Sequence, residues 1–312
     1  MFTASRGRRL AVGIAASAAV ALALSACSSS DPTAGSTSAS DTITVGSAAF
    51  AESEIVAQIY IQALEANDVK VKSSLNIGAR DVYIAALKDG SIDLVPEYSG
   101  NLLQFFDAKS TAASSDEVFK ALGDAVPKGF SVLDQSKAED KDSYNVTKEF
   151  SEKNNVKSLS DLAALSIPLA IGGQPELAER PYGPKGLTAT YGVPADKLSF
   201  VPISDGGGAQ TTAALLDGTV QLADIFSTSP SIKDNGFVTL EDPKNLILPQ
   251  NVLPLINTAK ASDKVKEVLN KVSGALTTDD LISLNSRNQG DEKAAPATLA
   301  ADWLKEKNLF TK

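Results

Sequence analysis

The sequence predicts an α/β protein of two lobes with mainly parallel sheets, joined by two crossover segments. Three observations predict it. The first is an internal repeat. Ala86-Leu87-Lys88-Asp89-Gly90-Ser91-Ile92-Asp93-Leu94-Val95-Pro96-Glu97-Tyr98-Ser99 returns as Ala214-Leu215-Leu216-Asp217-Gly218-Thr219-Val220-Gln221-Leu222-Ala223-Asp224-Ile225-Phe226-Ser227. Each copy is a helix end, an Asp-Gly turn, a short apolar strand and an aromatic followed by serine. Two similar units thus each carry one aromatic, Tyr98 or Phe226, to the carboxyl end of a strand, where open α/β sheets bind ligands. The second observation is that strand-period and helix-period segments alternate along the chain, as in parallel sheets covered by helices. The third is a pair of polar passages that divide the chain into lobes.

The elements follow in order. Residues 42–47 alternate as a first strand. Ile55, Val56, Ile59, Tyr60 and Leu64 give 52–67 a helical spacing. Residues 69–75 alternate as a second strand, and Gly78-Ala79-Arg80-Asp81 leads into a helix that runs to the first repeat copy. A helix over 116–126 and a strand over 131–133 complete the first part of lobe I, assigned to 42–143. The charged stretch 135–143 is the first crossover. Lobe II, 144–244, opens with a strand at 144–147. It continues through a capped helix start at Ser158-Leu159-Ser160-Asp161-Leu162, strands at 167–171 and 198–201, and a helix at 209–216 before the second repeat copy. The return passage covers 240–249. A strand at 252–256 and helices at 264–275, 278–286 and 299–307 return the chain to lobe I, whose second part is 245–312.

Composition excludes several function classes. The net charge of −9 becomes more negative still once the leader with Arg6, Arg8 and Arg9 is set aside. An acidic body lacks the basic stripe that nucleic-acid binding requires, so no nucleic-acid partner is expected. There is no histidine, which removes Ser-His-Asp catalysis and His-ligated metals. The only cysteine is Cys27, which leaves no disulfide framework and no cysteine cluster for zinc. No catalytic residue, metal or cofactor is expected.

The first residues are an address. Arg6, Arg8 and Arg9 form a basic region, and residues 10–24 form an apolar stretch too short for an ordinary membrane span. Leu24-Ser25-Ala26-Cys27 matches the bacterial lipobox pattern. Residues 1–26 are therefore assigned as a lipoprotein signal peptide and Cys27 as the lipidation site, holding the protein on the extracytoplasmic face of the cell membrane. Several acyl chains anchor stably where one is marginal. Residues 27–41, rich in Ser, Thr, Ala and Gly, form a flexible tether.

Several motifs together resemble one family. Gly46-Ser47-Ala48-Ala49-Phe50-Ala51-Glu52-Ser53, Gly78-Ala79-Arg80-Asp81-Val82-Tyr83, Val95-Pro96-Glu97-Tyr98-Ser99-Gly100, Glu179-Arg180-Pro181, Phe226-Ser227-Thr228 and Asp242-Pro243-Lys244-Asn245-Leu246 occur in matching order. They resemble the substrate-binding proteins of quaternary-ammonium (glycine betaine, carnitine, choline) ABC transporters, over about residues 43–309. The resemblance implies a type II periplasmic-binding-protein fold, closure of two lobes on a small solute, and delivery to a membrane permease. Osmoprotection is the implied physiology.

A trimethylammonium group has no N–H to donate. It is held by aromatic faces, at about 0.5–2 kcal/mol per contact, while a carboxylate at the other end of the ligand calls for an arginine fork. The resemblance accordingly assigns Tyr98, Tyr144 and Phe226 to the aromatic walls, Arg180 to the carboxylate, and Asn101 as a further donor. Asp81 opens a helix, where an acid suits the dipole, and also matches an acid of choline-binding relatives. The sequence departs from the family pattern at Gln250, Ala48, Ala49 and Ser53. Two completions of the cage stay open: a polar fourth wall, or Tyr182 brought in from the second lobe. The alternatives to a quaternary amine are an amino acid or polyamine ligand on the same fold, or a surface sensor of ligand.

Overall fold

In a computed structural model, the structure describes residues 42–310, which belong to one compact unit. The signal peptide, the tether and Cys27 lie outside the described residues. The chain begins with β1 (Ile43–Gly46), α1 (Ala51–Ala66), β2 (Val71–Ser74), α2 (Arg80–Asp89), β3 (Leu94–Tyr98), α3 (Ser99–Phe106), α4 (Ser115–Ala125) and β4 (Phe130–Val132). It continues with β5 (Tyr144–Val146), α5 (Lys148–Asn154), β6 (Leu169–Gly173), α6 (Pro184–Tyr191), β7 (Leu198–Pro202), α7 (Ala209–Leu216), β8 (Leu222–Asp224), α8 (Pro230–Asp234) and β9 (Val238–Thr239). Then come β10 (Val252–Asn257), α9 (Asp263–Ala275), α10 (Thr278–Gln289) and α11 (Pro296–Glu306).

Two five-stranded sheets result, ordered β2-β1-β3-β10-β4 and β7-β6-β8-β5-β9. The orders are equivalent, as the repeat predicts. In each sheet the first three strands are parallel, and one strand, β10 or β5, runs antiparallel to both its neighbours. These two reversed strands are the ones that follow the passages between sheets. Strands β1, β3, β6 and β8 point their carboxyl ends at the gap between the sheets. A chain arriving across that gap must therefore enter the next sheet from the opposite end. The two passages also pair with each other: Asp140 N–H donates to Gln250 O and Val252 N–H to Ala138 O.

Burial explains the helices. Helix α1 buries Ile55, Val56, Ile59, Tyr60 and Leu64, one continuous face and part of a second. It packs on β1 and β3 and is covered in turn by α9, α10 and α11. The C-terminal segment thus completes the core of the first sheet, and each fully buried Leu or Ile contributes about 1.5–3 kcal/mol. Ser158 caps a short 3-10 helix (Leu159–Ala164) with a reciprocal Asp161 contact, where the sequence predicts a capped start. The helices α3, α5, α6 and α8 are not predicted. They have eight residues or fewer, little room for a 3.6-residue period, and they lack the repeat copy that marks the equally short α7.

Candidate functional site

A cavity of ≈ 300 Å³ lies between the carboxyl ends of the two sheets. Its walls come from turns that follow strands. Phe50 follows β1, Tyr98 ends β3, Asn101 lies in the first turn of α3, and Arg80 and Tyr83 face in from α2. From the other sheet come Arg180 and Tyr182 after β6, Ser204 after β7, Asp224 at the end of β8 and Phe226 two residues later. Asp140 and Asp142 belong to the first passage.

Three rings touch in series. The Phe50 centroid is 5.9 Å from that of Tyr98 at 37° and 5.4 Å from that of Phe226 at 62°. Phe50 therefore joins the two aromatics of the repeat, one from each sheet. Such offset and edge contacts are worth about 0.5–1.5 kcal/mol each beyond their buried area.

Tyr98 is fixed by hydrogen bonds at both ends. Its hydroxyl donates to Glu52 Oε1 at 2.8 Å and its N–H to Glu97 Oε2 at 3.0 Å. Glu52 is fully enclosed, and burial raises its pKa although Thr228, Tyr98 and Asn285 all donate to it. Thr228 Oγ1 and Asn285 Nδ2 reach Glu52 Oε2 at 2.6 Å each. This one carboxylate ties the first ring to the segment that carries Phe226. Asp140, which accepts from Thr228 N–H at 3.0 Å, is pushed well up by burial and by the charge of Glu52.

Arg80 is committed to structure. Its guanidinium grips Glu97 with Nε at 2.9 Å and Nη2 at 3.0 Å, and Tyr83 hydroxyl donates to the same carboxylate at 2.8 Å. Burial alone would lower the Arg80 pKa, and the Glu97 carboxylate more than reverses this. Arg180 is different. Among the described residues its guanidinium has no ion pair and no side-chain hydrogen bond, yet it lines the cavity beside Tyr182 and Tyr83. It is a cationic fork with no partner among the described residues.

Asn101 is held through its whole amide. Its Oδ1 accepts from Gln250 Nε2 at 2.8 Å, its backbone N–H donates to Gln250 Oε1 at 2.9 Å, and its Nδ2 donates to Asp142 Oδ2 at 2.8 Å. Tyr182 hydroxyl donates to the same Asp142 oxygen at 2.8 Å. The Ser204–Gly208 turn closes one edge without phosphate-loop geometry. Gly207 has φ +72°, and a Cβ there would stand 3.1 Å from Asp224 O and 3.0 Å from Ile225 Cα, so a glycine is required. Asp205 caps α7 through Gln210 and Thr211 N–H.

Four of the sequence-selected residues meet at this cavity: Tyr98, Asn101, Arg180 and Phe226. Two stand outside its lining. Tyr144 is buried in the second sheet's core, and its hydroxyl donates to Tyr182 O at 2.8 Å. It is a prop beneath Tyr182, because β5 begins at Tyr144 and turns that side chain into the sheet packing. Asp81 is exposed on the outer side of α2. One residue advances a helix by about 100°, so when Arg80 faces in, Asp81 faces away. Phe50, Tyr83 and the acids Asp140, Asp142 and Asp224 were not selected from the sequence. The strand-then-aromatic signal that marked Tyr98 and Phe226 applies equally to Phe50, four residues beyond β1.

Residues 41–306 match the family model described as the substrate-binding domain of the ABC-type glycine betaine transport system. The chain belongs to this family. It is 26% identical over 281 residues to the glycine betaine-binding protein YehZ of Escherichia coli (strain K12), covering 86% of this chain and 92% of that one. It is 28% identical over 284 residues to the carnitine transport binding protein OpuCC of Listeria monocytogenes, covering 88% and 89%. Among solved structures, the crystal structure of a glycine betaine/carnitine/choline ABC transporter protein superposes with a TM-score of 0.68 at 21% identity, over 86% of this chain and 100% of that one. The fold is that of type II periplasmic binding proteins, and the chain is a substrate-binding protein of this class of ABC transporter. No helix among the described residues is long and apolar enough to cross a membrane.

Proposed function

We propose that this protein is the extracytoplasmic, lipid-anchored receptor of an ABC importer, tethered through Cys27, and that it captures a small quaternary-ammonium solute in the cavity between its lobes. The observation that carries the reading is the contact series Tyr98–Phe50–Phe226. Three rings drawn from both sheets line one cavity, and a methylated cation with no N–H is attracted to aromatic faces. The unpartnered Arg180 guanidinium supplies the second pole, a fork for a ligand carboxylate. Asn101 Nδ2, which gives one hydrogen to Asp142, supplies its second as a further donor, and Tyr182 supplies the further ring that the second lobe contributes. Lobe I (42–143 and 245–312) and lobe II (144–244) close about the two passages, in the hinge mode of binding proteins, and the closed form docks on the permease.

Calorimetric titration with glycine betaine, carnitine and choline, with proline and a polyamine as controls, tests this. Saturable heat from at least one quaternary amine is expected, and heat only from the controls refutes it. Arg180→Ala should weaken carboxylate-bearing ligands at least tenfold more than choline. An equal loss removes Arg180 from its role.

A further inference from the structure

Arg180 stands on a strap whose path two glycines make possible. The strap runs from the 3-10 turn Pro175–Glu179, beyond β6, to the start of α6. Its turns are linked in series. Arg180 N–H donates to Leu177 O at 3.2 Å, Gly183 N–H to Arg180 O at 3.0 Å, and Leu187 N–H to Gly183 O at 3.0 Å. Pro181 confines the residue before it to extended backbone, and Arg180 has φ −70° and ψ 147°. Tyr182 is tied at both ends. Its carbonyl accepts from the Tyr144 hydroxyl and its own hydroxyl donates to Asp142, at 2.8 Å each.

Neither glycine is needed for its dihedral angles: Gly183 has φ −73°, and Gly186 lies within α6. The constraint is space. A Cβ at Gly183 would stand 1.9 Å from Leu177 O, the oxygen that accepts the Arg180 N–H. A Cβ at Gly186 would stand 2.0 Å from Pro181 O, on the residue directly after Arg180. Both obstacles are backbone oxygens, which cannot swing aside as a side-chain tip can. A methyl at either position therefore pushes the strap itself, since overpacking is relieved by shifts of backbone. Gly192 is the opposite case. It caps the far end of α6 at φ +71°, and a Cβ there meets nothing within 4 Å. A side chain at 192 strains its own backbone and does not press on the strap.

We propose that Gly183 and Gly186 are positioning residues for the Arg180 fork. They let the strap fold tightly enough to fix where the guanidinium stands before the ligand arrives, so that carboxylate recognition is preorganised. This rests on the reading of Arg180 as the carboxylate clamp and adds what aims it. A fixed arm is spared the ordering that a mobile one undergoes on binding. Phe50, Tyr98 and Phe226 are carried by other turns, so a displaced strap bears more on the carboxylate end of a ligand than on its cation.

Calorimetry with glycine betaine and choline on the full chain gives the test, read as the ratio of the two affinities. Gly186→Ala should lower the betaine-to-choline ratio by roughly five- to fiftyfold, because hydrogen bonds to a charged group depend steeply on placement. Gly183→Ala should act in the same direction. Gly192→Ala, which destabilises the same helix from its other end, should leave the ratio unchanged. In an Arg180→Ala background Gly186→Ala should lower the ratio no further. A ratio that survives Gly186→Ala, falls as far in Gly192→Ala, or drops again in the double variant overturns the proposal and leaves the reading of Arg180 intact. A ratio untouched by Arg180→Ala overturns that reading, and the proposal with it, as does the absence of binding by either amine. Hydrogen exchange on the unaltered, ligand-free chain needs no variant to fold. The Arg180 and Gly183 amides should already be protected there. Exchange at the rate of an unfolded segment until glycine betaine is added would overturn the proposal.

Discussion

Glu97→Gln is the most informative single change. Glu97 is fully buried, and its two oxygens divide four donors between them. Oε1 takes Arg80 Nε at 2.9 Å and Tyr83 hydroxyl at 2.8 Å, while Oε2 takes Arg80 Nη2 and Tyr98 N–H at 3.0 Å each. A glutamine has the same outline but must place its NH₂ at one of these positions. At the Oε2 position the NH₂ meets Arg80 Nη2 and Tyr98 N–H and two hydrogen bonds are lost; at the Oε1 position it meets Arg80 Nε but can donate to the Tyr83 hydroxyl, so one is lost. Each stranded buried donor costs about 1–3 kcal/mol. The Arg80 guanidinium, 7% exposed, also loses its counter-charge. Breaking a buried ion pair by removing one partner costs about 3–5 kcal/mol, of which the stranded donor is a part. At about 2–4 °C per kcal/mol for a chain approaching this size, the melting midpoint should fall by roughly 10 °C. Chemical and thermal unfolding of the two proteins side by side measure this. Ligand affinity should fall as well, because Arg80, Tyr83 and Tyr98 all line the cavity and a released guanidinium would face the ligand's own cation. A stability loss under about 1 kcal/mol, with affinity unchanged, would refute the view that this ion pair holds the first-lobe wall in place.

Two further outcomes are expected. Phe226→Ala removes the edge contact with Phe50 and one ring face, and should weaken a quaternary amine by about 1–3 kcal/mol, read as a five- to 150-fold rise in Kd. The buried acids Glu52, Asp140 and Asp224, raised chiefly by burial, should make stability fall with rising pH. The folded state holds protons there that the unfolded chain has released. Their contribution is therefore complete below the ordinary carboxylate range near pH 4 and is lost as pH climbs towards the raised values. The slope is up to about 1.4 kcal/mol per pH unit for each proton retained. Unfolding midpoints from pH 5 to 8 should decline, and Asp140→Asn should flatten the decline. An unchanged slope would count against Asp140 holding a proton.

The fold was legible because its signals are long-range in pattern but local in cause. The repeat ending in Tyr98 and Phe226 required two equivalent units, and two sheets of equivalent strand order satisfy it. The polar passages placed the crossings, since a chain leaving one core for another must run through solvent-compatible residues. The reversal of β5 and β10 was not legible. It follows from the end at which the chain enters each sheet, and no residue encodes that direction on its own. The short helices escaped for the same kind of reason: α8 and α5 are too brief for periodicity, and their form is set by the core they cover.

For the site, the sequence disclosed what stands at strand ends and concealed what depends on rotation about an element. Tyr98 and Phe226 follow from position, and Arg180 from the family resemblance of Glu179-Arg180-Pro181. Arg80 and Asp81 are adjacent letters, and only the phase of α2 decides that the arginine turns inward to Glu97 while the acid meets water. Tyr144 and Tyr182 form a comparable pair. Both are nearly fully buried tyrosines of the second lobe, but one presents its ring to the cavity and the other lends only a hydroxyl to its neighbour's backbone. The distinction has a physical consequence. A ring that meets the ligand is removed at the expense of affinity, whereas Tyr144→Phe keeps the packing and strands Tyr182 O without its donor. The acids were concealed for a third reason. Asp140 and Asp142 sit in a charged stretch that resembles any solvated surface, Asp224 ends a short apolar strand, and only the pairing of β5 with β8 carries Asp142 and Asp224 to one wall. A cavity assembled at the junction of two sheets is therefore specified twice: by residue types that are visible in the chain, and by a strand pairing that chooses which of them face one another.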